Sequence, residues 1–261
     1  LTPTSLTAAD TAVLGGTIDI AWTVQNAGSG PTYSDWYDRI VLSTDQIYGN
    51  SDDRYLTELR ASSSPSVRPL AAGASYTRSL EGVSLPLNAT LNAGNYYLLV
   101  KTDNSGVEPE LNENNNVLAR AITLSLPLIA DLTVSDVQVP AEPMFSGDTA
   151  TVAFTLHNIG QAAASNFHSR MYLSGDGSSQ DIFVGDYFYT QTLAAGASVA
   201  VEQTITVPLY QPGDWYLLVV TDTTNHIYEH TNEGNNQAIS PAPLHASLPP
   251  LPDLLVSNIL A

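Results

Sequence analysis

The 261 residues carry 26 acids against 8 Lys and Arg, a formal net charge of −18, and no cysteine. That field repels a polyanion such as DNA and attracts cations, while the missing thiols exclude disulfide staples, thiol nucleophiles and zinc held by thiolates. A hydrophobic content of 43% suffices for buried cores; no apolar run approaches the ~20 residues that span a bilayer, and no stretch has the basic, apolar, small-residue order of a signal peptide.

The first strong pattern is Gly15–Gly28, where Ile18, Ile20, Trp22 and Val24 alternate with Asp19, Ala21 and Thr23. Period-two alternation predicts a strand with one buried face. Arg39-Ile40-Val41-Leu42-Ser43 predicts a second strand, followed by an acidic loop holding Asp45, Asn50, Asp52 and Asp53. A Leu70-Ala71-Ala72-Gly73-Ala74-Ser75 turn follows, then the strand Gly94–Val100, then Asp103 and a tail with Glu108, Glu110, Asn112, Glu113 and Asn115. The Pro-punctuated stretch Ser125–Ala130 closes this series.

The series then runs again. Gly147–Gly160 repeats Gly15–Gly28, Arg170–Ser174 repeats Arg39–Ser43, Leu193–Ser198 is identical to Leu70–Ser75, and Gly213–Val219 repeats Gly94–Val100. The order holds while the spacing drifts, as loop insertions between shared strands would produce. Pro252-Asp253-Leu254-Leu255-Val256-Ser257 resembles Ala130-Asp131-Leu132-Thr133-Val134-Ser135. The expected organisation is therefore residues 1–126, residues 131–240, and the start of a third repeat at 250–261, cut from a longer repetitive protein. No stretch shows a capped 3.6-residue period. About seven short strands per copy point to an all-β protein of two tandem β-sandwich domains, and the Pro-rich joints to serial arrangement.

Each copy resembles the CARDB domain, a bacterial module related to cell adhesion. The resemblance rests on the Asn-x-Gly strand end (Asn26-Ala27-Gly28, Asn158-Ile159-Gly160), the Leu-Ser strand before an acidic loop (Leu42-Ser43, Leu173-Ser174) and the Leu-Ala-Ala-Gly turn. It rests also on the Tyr/Trp-Tyr-Leu-Leu-Val strand, followed by Asp103 or Asp222 and an Asn-Glu-x-Asn-Asn tail (Asn112–Asn116, Asn232–Asn236). It implies an immunoglobulin-like fold in a secreted or cell-surface protein and names no ligand.

Two acidic constellations recur. One holds Asp45, Asn50, Asp52 and Asp53 in the first copy and Asp176, Asp181 and Asp186 in the second. The other holds Asp103, Glu110, Glu113 and Asn115 in the first copy and Asp222, Glu229, Glu233 and Asn235 in the second. Calcium takes six to eight oxygen ligands from such loops, although no EF-hand spacing is present, and the same residue types also cap turns. Trp36 and Tyr37, placed in a loop between strands, are candidates to stack on a glycan; Tyr187 and Tyr189 share one strand face and Phe188 takes the other. His226 and His230 have no counterparts in the first copy, and no nucleophile elbow is present. The sequence thus reads as a non-catalytic adhesion or spacer module, calcium as its cofactor, neighbouring repeats as its partners. A glycan- or protein-binding module and an accessory region of a secreted hydrolase stand as alternatives.

Overall fold

A computed structural model describes residues 1–63 and 67–255, and the chain forms two compact units, Leu1–Pro127 and Leu128–Ala261, here domain one and domain two. The second half of the expected third repeat, residues 256–261, lies outside the described residues.

Domain one contains β1 (Thr2–Thr7), β2 (Thr11–Val13), β3 (Thr17–Gln25), β4 (Tyr37–Ser43), β5 (Arg54–Arg60), β6 (Ser75–Ser84), β7 (Gly94–Lys101) and β8 (Val117–Ser125). The alternation in β3 is realised as expected: Ile18, Ile20, Trp22 and Val24 are buried and their neighbours are not. A sheet ordered β1-β3-β6 packs over one ordered β2-β8-β7-β4-β5. Trp22, Trp36, Ile20, Ile40, Leu42 and Leu98 fill the space between them.

Domain two contains β9 (Leu132–Gln138), β10 (Met144–Phe145), β11 (Thr149–Asn158), β12 (Ala164–Ser174), β13 (Ile182–Leu193), β14 (Ser198–Thr206), β15 (Gly213–Thr221), β16 (Gln237–Ile239) and β17 (Leu244–Ser247). Its sheets run β14-β11-β9 and β10-β17-β15-β12-β13, with β16 also on β15. The single last strand β8 of domain one is split into β16 and β17 here, with Pro241 and Pro243 between them. Proline donates no ladder hydrogen bond, so the strand must break there. Each domain is an immunoglobulin-like sandwich of two β-sheets. Among the described residues there is no α-helix, and no helix is long and apolar enough to cross a membrane.

The repeated Asn-x-Gly and Leu-Ala-Ala-Gly signatures meet in space. Asn26 donates from Nδ2 to the carbonyls of Gly30 (2.8 Å) and Leu70 (3.0 Å), and its Oδ1 accepts the Gly28 N–H. Asn158 repeats this with Ala162, Leu193 and Gly160. A buried side-chain amide thus staples the turn to the end of the strand. In that turn Gly73 and Gly196 each sit at φ +73°, a left-handed conformation that glycine adopts without strain.

Candidate metal centre

Asp103 and Asp222 lie just beyond β7 and β15 at φ 43° and 44°, and each folds the chain back on itself. Asp103 accepts the N–H groups of Val107 (2.9 Å) and Glu108 (3.0 Å). Asp222 accepts those of His226 (3.0 Å) and Ile227 (2.9 Å). The returning loop then brings two more acids to the same place. Carboxylate oxygens of Asp103, Glu110 and Glu113 lie within 4.8 Å of one another, and so do those of Asp222, Glu229 and Glu233.

The two sets are satisfied differently. In domain one, Glu110 meets the nitrogen of Leu1 and accepts weakly from Asn116 Nδ2 (3.5 Å). In domain two, Glu229 accepts the Leu132 N–H through one oxygen and Asn236 Nδ2 (2.6 Å) through the other. Glu233 Oε1 accepts the Glu229 N–H at 2.9 Å. That leaves Glu233 Oε2, Asn236 Oδ1 and Thr223 Oγ1 buried without a hydrogen-bond partner, and Asn236 is only 6% exposed. These three residues and Asp222 line one depression of about 250 Å³. Orphaned buried oxygens are rare and costly; here they are gathered beside three carboxylates.

Burial pushes the Glu229 carboxyl up to about 7, with the charges of Glu233 and Asp222 adding and the bonds from Asn236 and Leu132 opposing. Burial also raises Asp222. In domain one burial raises Glu110, and the hydrogen bond from the Leu1 nitrogen opposes the rise. Crowded carboxylates in a poorly solvated place shed charge by taking up a proton or a cation. The donors in domain two are all hard oxygens, the set that calcium prefers.

The other acidic constellation does not converge. Asp45 accepts the Ile47 N–H (2.7 Å) and the Asn50 amide (3.1 Å). Asp52 accepts from Thr44 N (2.8 Å) and Ser43 Oγ (3.0 Å), and hydrogen bonds from Thr44 first of all hold its carboxyl down at about 2. Asp53 Oδ2 accepts the Gly49 N–H, while its Oδ1 is buried without a partner. Asp176 accepts the N–H groups of Ser178 and Ser179, which hold it well below the usual carboxylate range, and Asp181 accepts that of Gly175. Asp186 stands apart on β13, against His168 (2.7 Å) and Arg170 (3.7 Å). These groups cap turns and pair across strands, and the expectation that they share a cation is corrected by that geometry.

Asn115 and Asn235 are also placed elsewhere: they donate to Thr2 Oγ1 and to Asp131 Oδ1, tying down the first strand of each domain. The asparagine that reaches the cluster is the next one, Asn236, with Thr223 beside it. The doubled Asn of the tail signalled the first of these; nothing in the sequence singled out Thr223. Trp36 corrects a further expectation. It is 0% exposed, donating from Nε1 to Tyr76 Oη at 3.2 Å, and offers no face to a ligand. Tyr37 is half-buried with the Arg60 guanidinium over its ring at 5.7 Å. Neither His226 nor His230 joins a three-ligand group among the described residues.

The CARDB family profile matches residues 1–120 and again 129–240. No curated protein sequence matches the chain. Among solved structures, it is similar to a CARDB domain from Pyrococcus furiosus crystallised in complex with di-metal ions: 20% identity, TM-score 0.36, 47% of this chain and 98% of that one. The solution structure of that domain gives 21%, 0.36, 47% and 100%. Red sea bream transglutaminase gives 14% and 0.33 over 93% of this chain and 31% of its own.

Proposed function

This chain belongs to the CARDB family, and we propose that its two domains are non-catalytic spacer and adhesion modules of a secreted or cell-surface protein, with domain two tightened by a bound calcium ion. One observation supports the cation above the others: Glu233 Oε2, Asn236 Oδ1 and Thr223 Oγ1 are buried without partners on the walls of the depression that Asp222 also lines. A cation there would give each orphaned oxygen a partner and let the three carboxylates ionise together. Glu229 joins this loop to the N–H of Leu132, so ordering the loop also fastens the first strand of the domain. That is the property a module needs if it must stay rigid under load.

The experiment is a thermal melt of the full chain in chelator and in millimolar calcium. Binding to the folded state raises the midpoint by mass action, and magnesium, which demands a tight octahedron, raises it less. Glu233→Gln keeps the bond to Glu229 but removes charge, and abolishes the rise; Glu113→Gln in domain one leaves most of it. A midpoint that calcium does not move overturns the proposal.

A further inference from the structure

β13 lies at the edge of the larger sheet of domain two, and its outward side chains form three rungs with those of β12. His168 stacks on Phe188 with ring centroids 4.4 Å apart. Arg170 faces Asp186, which His168 also contacts. Tyr172 meets Phe183 edge-on at 5.8 Å. Phe183 is 57% and Phe188 46% exposed, so two hydrophobic rings stand in solvent on either side of a polar rung. From His168 to Tyr172 is four strand residues, about 13 Å.

Domain one carries the same three rungs with different chemistry: Tyr37 opposite Arg60, Arg39 opposite Glu58, Val41 opposite Tyr55. There Arg60 lies over the Tyr37 ring and Arg39 over the Tyr55 ring, at 5.7 and 5.6 Å. Each of those rings has a guanidinium beside it, although Tyr55 stays 60% exposed. Domain two has a single Lys or Arg, Arg170, and it is engaged with Asp186; Phe188 has the His168 ring on one face and leaves the other to solvent.

The rungs also open into the depression described above. Its wall on this side is Arg170, Tyr172 and Val220, and the rest is hydroxyl, amide and carboxylate, including Gln180, Thr223 and Asn225. Rings that can stack, next to paired donors and acceptors, match a molecule with apolar C–H faces and a hydroxyl rim. Charge narrows the choice. Residues 127–261 hold 13 acids against one base, so an anionic partner is repelled, while the charges on the face itself are paired to one another. We propose that the outer face of β12 and β13, with the polar depression beside Arg170 and Tyr172, is a binding platform for an uncharged polysaccharide chain. The separation of the two aromatic rungs calls for several sugar units, not a monosaccharide.

The test is affinity electrophoresis of the full chain through gels containing mixed-linkage β-glucan, galactomannan, arabinoxylan or dextran, with polygalacturonate as the anionic comparison. At least one neutral polymer retards the protein, and Phe183→Ala and Phe188→Ala each weaken that retardation about fivefold at unchanged melting midpoint. Tyr55→Ala on domain one leaves it intact. Because the depression is shared with the proposed calcium site, the gels are run in calcium and in chelator, and the phenylalanine variants weaken the retardation in both. The proposal is overturned if no neutral polymer retards the chain, if polygalacturonate retards it more, or if the phenylalanine variants bind as tightly as the parent. It is equally overturned if sedimentation shows a dimer that Phe188→Ala disperses, because a second copy would then be the occupant.

Discussion

At matching positions next to the sheet edge, domain one buries Asp38 on β4 and domain two buries Ser169 on β12. Around Asp38 the structure gathers donors: Trp22 Nε1 at 2.9 Å, Tyr76 Oη at 2.7 Å and Thr102 Oγ1 at 2.7 Å. Burial raises its carboxyl, and those bonds and the nearby Arg78 oppose the rise. In domain two Phe154 takes the place of Trp22, and Ser169 needs only the Thr221 hydroxyl at 3.0 Å. One sandwich therefore accepts either a charged hub with a full set of donors or an apolar core with one small hydroxyl pair. The acid clusters reverse the contrast. Domain one leaves none of its cluster's side-chain oxygens among the buried orphans of the described residues, whereas domain two leaves Glu233 Oε2 and Asn236 Oδ1, with Thr223 Oγ1 beside them.

The largest expected effect breaks the hub. Asp38→Ala strands three buried donors and destabilises domain one by about 3–5 kcal/mol, while Ser169→Ala costs domain two about 1 kcal/mol; urea unfolding of the full chain measures both. Comparable losses in the two variants would erase the distinction.

A second feature is the glycine after the stapling asparagine of domain two. A Cβ on Gly160 would come within 2.5 Å of Ala130 C and Ile129 O, because that segment crosses it. Gly160→Ala is expected to cost about 2–3 kcal/mol. An unchanged melting midpoint would contradict the close crossing.

The third contrast is pH. Glu229, at about 7 in the folded state against an ordinary 4.5, binds its proton more tightly when folded. Its stabilising contribution is complete below about 4.5 and is lost as pH rises through about 7. In chelator, the melting midpoint of domain two therefore climbs on acidification across that window, and Glu229→Gln flattens the climb. Calcium supports the ionised form and shrinks the climb in the parent. The smallest effect is at the surface: Arg39→Ala removes a half-exposed pair with Glu58 at 2.8 Å, worth less than about 1 kcal/mol.

The sequence by itself determined what is local. Alternation at Ile18–Val24 and Thr149–Leu156 specified strands, because side chains point to opposite faces in turn. The repeated Asn26 and Asn158 motifs announced the same strand-end staple twice, and together these patterns were enough for the sandwich and the family. What only the tertiary structure decided is which side chains converge. Glu229 meets Leu132 across 97 positions of chain, and Asn236 is selected over Asn235 by which face of a turn points inward. Trp36, beside a glycine- and proline-rich loop, is drawn into the core by the sheet above it. Acid, amide and aromatic residues are equally at home in a solvated loop and in a site, so their meaning depends on long-range register and burial, which composition does not carry.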